Sequence, residues 1–138
     1  LDHPLKKGEK TQIQEAQTHF WCLAKTEVNI EVSRYPSSRY SLIKAEPLTG
    51  RMHQIRRHFA HFRHNIIGDS RYGDKKHNKM FREQLALSKL MLHAHRIRFK
   101  HPLSGGQIDL KTSIPKRFEE ALEVFNWEYA NNESTIDV

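Results

Sequence analysis

Apolar residues in this chain change their spacing several times, and each change marks an element. In TEVNIEVSRY, Val28, Ile30 and Val32 alternate with polar residues, the two-residue period of a half-buried strand. Pro36, in YPSS, ends pairing, and RYSLIKAE then resumes an extended, β-branched and aromatic character. These two segments are expected to be antiparallel neighbours. PLTG turns the chain, with Gly50 free to take positive φ. Ile55, Phe59 and Phe62 follow at i, i+4 and i+7, one helical stripe over about 54–63.

Beyond that helix, IIGDSRYGD reads as a loop and KMFREQLALSK as a second, weaker helix. Leu90, Leu92 and Ala94 alternate in LMLHAHRIRFK, which HPLSGG turns into QIDLKT, a hairpin. Pro115 stands where a first helical position belongs, and Phe118, Leu122 and Phe125 give the third helix an apolar face. PLKKGEKTQ near the start reads as a polar loop, and the polar tail over 130–138 is expected to fray. Strands and helices mix without strict alternation. The fold class expected is α+β with a mainly antiparallel sheet.

Length and charge narrow the picture. The 138 residues suffice for one domain with a real core. The net charge of +7 is not spread evenly: 13 Lys and Arg face 3 acids between Arg51 and Lys100, against 3 and 7 from His101 onward. A uniformly solvated basic surface gives no such asymmetry, whereas one face meeting a polyanion does. Nucleic acid is therefore the expected partner. Cys22 is the only cysteine, which excludes an intrachain disulfide and a Cys-rich metal site. It is expected to be a small buried residue. No run approaches the roughly 18 apolar residues of a membrane span, and LDHPLKKGEK has no apolar core. A cytosolic compartment fits.

The charge is densest in TGRMHQIRRHFAHFRHNIIGDSRYGD, residues 49–74, with five Arg, four His and two carboxylates. A turn at Thr49-Gly50 delivers Arg51 and His53 to the mouth of the helix. Gln54, Arg57 and His61 point away from the apolar stripe, and His58 sits on its shoulder. Arg forks suit phosphate, and the free N–H groups of a helix start add donors for an anion. Arg56 borders the core stripe, so its guanidinium needs an anionic partner. Glu46, Asp69, Asp74 or a carboxylate from outside these residues could supply it. Two other chemistries fit less well. The histidines lack an HExxH pattern and interleaved acids, which argues against zinc. Asp69 and Asp74 suit turn chemistry, bonding local amides, better than acid–base catalysis.

The stretch LTGRMHQIRRHFAHFRHNIIGDSRYGD resembles a signature block of the RluA-type pseudouridine synthases, TGR-x-HQ-[IL]-R-x-H followed by HPI-x-GD-x-x-YG. LMLHAHRIRFKHPLSG resembles the family's LHA-x-x-L-x-F-x-HP hairpin. The resemblance covers essentially the whole chain. It implies a mainly antiparallel mixed sheet with flanking helices, the C-terminal portion of a catalytic domain, so that residues 1–138 form a single partial domain. The family's HRLD-x-x-TSG block, with the nucleophilic aspartate, and its K-x-Y-x-A block occur nowhere in the 138 residues. A chain without them is expected to be inactive alone and to need the missing N-terminal half. Self-association through uncovered sheet is then expected as well.

By position in the motifs, the resemblance implies that Arg56 pairs with the nucleophilic aspartate and that Leu92 packs on the target uracil. Arg51, His53, Gln54, Arg57, His58 and Arg63 would contact RNA. The implied reaction isomerises uridine to pseudouridine in RNA, tRNA foremost, with no cofactor, metal or membrane. Leu92 is equally explained as a core residue by its own alternation, and Gly68 and Gly73 as turn residues. One departure is visible: His64-Asn65 stands where the family has His-Pro. The rival reading is a basic RNA-binding module without chemistry.

Overall fold

The computed structural model describes residue 1 and residues 3–7 and 12–127, which divide into two units at Leu90/Met91. The expected tail over 130–138 lies outside the described residues. Within them every strand pairing is antiparallel and three helices accompany the strands, an α+β fold.

The first unit opens with β1 (Leu5–Lys7) and β2 (Gln12–Gln14), a short antiparallel pair. The polar loop expected at PLKKGEKTQ is corrected there: its Leu5, Lys6 and Lys7 are β1, and its last residue, Gln12, opens β2. The main ladder joins β3 (Thr18–Val28) to β4 (Ser38–Pro47), in register from Thr18↔Pro47 to Val28↔Ser38. The antiparallel neighbours are where the sequence puts them, but the first strand runs earlier than TEVNIEVSRY. Val28 ends it, and Ile30 and Val32 lie in the following connection. The register shifts between Cys22 and Ala24, leaving Leu23 as an extra, exposed residue. Such a bulge changes which side chains face inward and hides the strand's two-residue period. Cys22 is exposed, contrary to expectation, on a ladder that is only two strands wide.

Helix α1 (Gln54–His61) packs on β3 and β4, its Phe59 ring meeting that of Phe20 edge to face at 5.6 Å. Helix α2 (Lys75–Gln84) begins four residues before the expected KMFREQLALSK segment. The reason is its cap: the Asp74 carboxylate accepts from the amides of Lys76 and His77 at 2.9 and 3.1 Å. Phe81 of α2 meets Tyr40 of β4 at 4.8 Å, and Tyr40 also bonds His77 through its hydroxyl at 2.8 Å. With Leu5, Ala16, Phe59, Met80 and Leu87, these residues form the unit's core.

The turn before α1 departs from expectation. Gly50 does not take positive φ; His53 does, at φ 51°, as the residue capping the helix. Gly68, further on, needs the left-handed conformation, at φ 78°.

The second unit holds β5 (Arg96–Lys100), β6 (Gln107–Lys111) and α3 (Lys116–Val124). The hairpin is present, paired from Arg96↔Lys111 to Lys100↔Gln107 and tied by Arg96 to Asp109. It starts later than the alternation of Leu90, Leu92 and Ala94 suggests: residues 91–95 are irregular. Pro115 stands one position before α3, where its fixed φ suits entry, and Ala121 and Phe125 are buried.

Candidate active site around Arg56

The site grows from a buried polar seam under α1. The Gln54 amide donates to the Gln17 carbonyl at 2.8 Å and to Thr18 Oγ1 at 3.0 Å. Its oxygen accepts from Thr49 Oγ1 at 2.6 Å and from the Arg51 amide at 3.1 Å. Thr18 Oγ1 in turn lies 2.8 Å from His58 Nδ1, and His58 Nε2 lies 3.0 Å from the His3 carbonyl. A carbonyl only accepts, so Nε2 carries the proton and Nδ1 accepts the Thr18 hydroxyl. Every polar atom in the seam is matched, which fixes the axial position of α1 against β3.

That accounting corrects two expectations. Gln54 and His58 are buried, His58 completely, and their hydrogen-bonding groups are spent internally. They hold the helix against β3. Spacing placed them off the apolar stripe, but β3 and the segment around His3 cover that side too. The signal available in the sequence was the polar Thr18 at the head of β3.

Arg56, one turn from that seam, points toward the 65–74 loop. Its Nε donates to Asp69 Oδ2 and its Nη2 to Asp69 Oδ1, both at 2.8 Å. Asp69 Oδ1 also accepts the amides of Arg71 and Tyr72, each at 3.0 Å. The Arg56 guanidinium, helped by these amides and opposed by burial, pulls the Asp69 carboxyl down to about 2. The same hydrogen bond raises Arg56 further above its ordinary value. Of the candidate partners within the chain, Asp69 is the one that engages. An outside carboxylate of the kind the resemblance implies would therefore have to share Arg56 with Asp69.

Asp69 nevertheless occupies only one edge of the guanidinium. The Nη1 hydrogens and the outer hydrogen of Nη2 form a second fork, which Asp69 does not use. The Arg56 side chain is 19 % exposed. Below it lies the Tyr72 ring, 5.2 Å from the guanidinium carbon, and His53 Nδ1 lies 3.1 Å from the Tyr72 hydroxyl. Tyr72 was not singled out from sequence, although the YG of the motif marks it.

The loop is rigidly built. Asn65 Nδ2 donates to the Tyr72 carbonyl at 2.6 Å, a cross-loop tie at the position where the family has proline. Asn78 of α2 accepts from the Gly68 amide and donates to the Asp69 carbonyl, at 2.8 and 3.0 Å. An added Cβ would fall 2.1 Å from the Lys89 carbonyl oxygen at Gly68 and 2.1 Å from that of Asp69 at Gly73. Both glycines are therefore required by close backbone approach, beyond any turn preference.

The other expected site residues surround this core unevenly. Arg51 is exposed and bonds the Glu15 carbonyl through Nε at 3.0 Å. Arg57 reaches the Met52 carbonyl at 3.3 Å, and Arg63 is exposed past the end of α1, at φ 61°. His61 stacks on His3 at 3.5 Å, and burial, followed by the neighbouring basic side chains, lowers the His3 pKa. Leu92 belongs to the second unit, where it is half-buried and its carbonyl accepts from Arg117 at 2.9 Å. Among the described residues, no three His, Cys, Asp or Glu are grouped to hold a metal ion.

A family model described as RNA pseudouridylate synthase matches residues 2–61, ending with the last residue of α1. Proteins named tRNA pseudouridine synthase C match as well. The protein from Vibrio vulnificus is 42 % identical over 120 residues, 87 % of this chain and 49 % of its own length. That from Salmonella typhimurium is 43 % identical over 83 % of this chain and 44 % of its own. The Vibrio cholerae protein is 37 % identical over 93 % and 57 %. Over 83–93 % of its length the chain is thus similar to pseudouridine synthases, and over residues 2–61 to the RNA pseudouridylate synthase family model. It spans about half the length of the curated relatives it matches. An arginine clamped on one edge, with a tyrosine ring below it, is suited to hold a second carboxylate in a fixed plane.

Proposed function

We propose that the protein isomerises uridine to pseudouridine in RNA, tRNA foremost, with the nucleophilic aspartate supplied by polypeptide outside these 138 residues. The observation that carries this reading is the half-used guanidinium of Arg56 in a chain similar to this family. Its outer fork would take the nucleophilic carboxylate, keeping it ionised and aimed, while Asp69 holds the inner edge. In the reaction the aspartate attacks a uridine turned out of its stack. As the carboxylate bonds to C1′ the bond from N1 to the ribose breaks; the turned base then bonds to C1′ through C5, the carboxylate leaves, C5 loses its proton and N1 gains one. Nothing is oxidised or reduced, so the step calls for no redox cofactor.

Leu92 would pack on the uracil, and Arg51, Arg57 and Arg63 would contact RNA phosphates. His53 would act through Tyr72, orienting the ring under Arg56. The 138 residues alone would bind RNA without turning it over, for want of the nucleophile.

The test uses the full-length protein that carries this chain and a tRNA substrate. Arg56→Ala should abolish pseudouridine formation while most tRNA affinity remains. Arg56→Lys keeps a charge beside Asp69 but lacks a planar fork, so it should fold and also fail to turn over. Near-normal yield from either variant would overturn the assignment. RNA binding by the unaltered full-length protein with no pseudouridine formed would favour a binding module instead.

A further inference from the structure

A cleft of about 420 Å³ lies on the far side of the Asp69 loop, between it, α2 and Ser88. Lys75, Lys79 and Arg82 line it. They stand at i, i+4 and i+7 of α2, so one face of the helix carries all three, with neighbouring Cβ atoms roughly 5–6 Å apart. All three are exposed, and among the described residues none has a hydrogen-bond or ion-pair partner. Asp69 is the only acid of the lining, and Arg56 answers its charge from the other side. Ser70 and Ser88 add hydroxyl donors at the rim. Asn78, its amide spent on Gly68 and Asp69, pins the floor to the loop that carries the Arg56 partner.

We propose that this cleft is a phosphodiester track, in which Lys75, Lys79 and Arg82 hold the backbone of the RNA strand beside the target nucleotide. The inference rests on the RNA-modifying reading above and adds to it a surface on α2, apart from the arginines around α1. A row of mobile cations along an open cleft suits a run of phosphates. A pocket for a small phosphorylated ligand would instead be enclosed and largely apolar, with donors converging on one point. Asp69 lines the cleft and pairs with Arg56, so a single buried residue separates the track from Arg56.

The salt dependence of tRNA binding by the full-length protein tests this. Each neutralised phosphate contributes about 0.7–0.9 to the slope of log K against log salt. Lys75→Gln/Lys79→Gln/Arg82→Gln should therefore make the slope shallower by about 2 and weaken binding at low salt. Glutamine is a good helix former, and an unchanged helical circular-dichroism signal will show that α2 persists. Lys25→Gln/Arg39→Gln, two exposed cations of the β3–β4 ladder, should leave the slope near that of the unaltered protein. An unchanged slope in the α2 variant, or an equal loss in the β3–β4 variant, would overturn the track. Salt-independent or absent tRNA binding by the unaltered protein would instead overturn the RNA reading beneath it.

Discussion

Asp69 illustrates how far a single residue was legible. Its Gly-Asp setting pointed to turn chemistry, and it does bond the amides of Arg71 and Tyr72. Its pairing with Arg56 was one option among several, because sequence spacing does not say how the 65–74 loop folds back on α1. The pairing has a pH signature. The folded pKa of about 2 lies below the ordinary value of 3.8, so the stabilisation is full above about pH 4 and is lost as pH falls toward 2. By linkage the difference is on the order of 2 kcal/mol. Asp69→Asn should be less stable by about that amount near neutral pH. Denaturant titrations across an acid series should then show the two proteins converging as the acid limb is descended. A gap that stays constant with pH would contradict the assigned pair.

Elements were legible where an apolar stripe faces a covered surface, and obscure where it does not. Ile55, Phe59 and Phe62 announced α1, and Phe118, Leu122 and Phe125 announced α3, through the one residue of each stripe that is buried, Phe59 and Phe125; Phe62 is exposed, and α1 also buries the polar Gln54 and His58. The start of β3 was missed because its ladder is two strands wide and bulged at Leu23, leaving no clean alternation. The first turn of α2, KKHNK, carries no apolar period; its cap at Asp74 was the only signal. Asp74→Ala should cost about 1 kcal/mol in stability, read from the denaturation midpoint. The glycines make a sharper contrast. Gly68→Ala drives a Cβ into the Lys89 carbonyl at positive φ and should destabilise by at least about 2 kcal/mol. Gly50→Ala meets nothing within 4 Å and should be neutral within about 0.5 kcal/mol. Equal effects at the two positions would show that close approach does not decide their identity.

At the scale of the molecule, the ladders of both units end in strands with no further partner among the described residues. Their outer surfaces are apolar in places: Phe20 and Leu23 on β3, Ile97 and Phe99 on β5, and Leu110 on β6 are exposed. Unpaired N–H and C=O groups beside such side chains are a template for another strand. The opposing influence is the net charge of +7, which keeps copies apart at low salt. The 138-residue chain on its own should therefore associate in a concentration-dependent way, and more strongly as salt screens the repulsion. Sedimentation velocity over a range of protein and salt concentrations measures both trends. Ile97→Lys/Leu110→Lys places two charges on directly paired residues of the β5–β6 ladder and should reduce the association if that surface takes part. A monodisperse monomer throughout would mean that these edges are protected by their own twist and flanking charges.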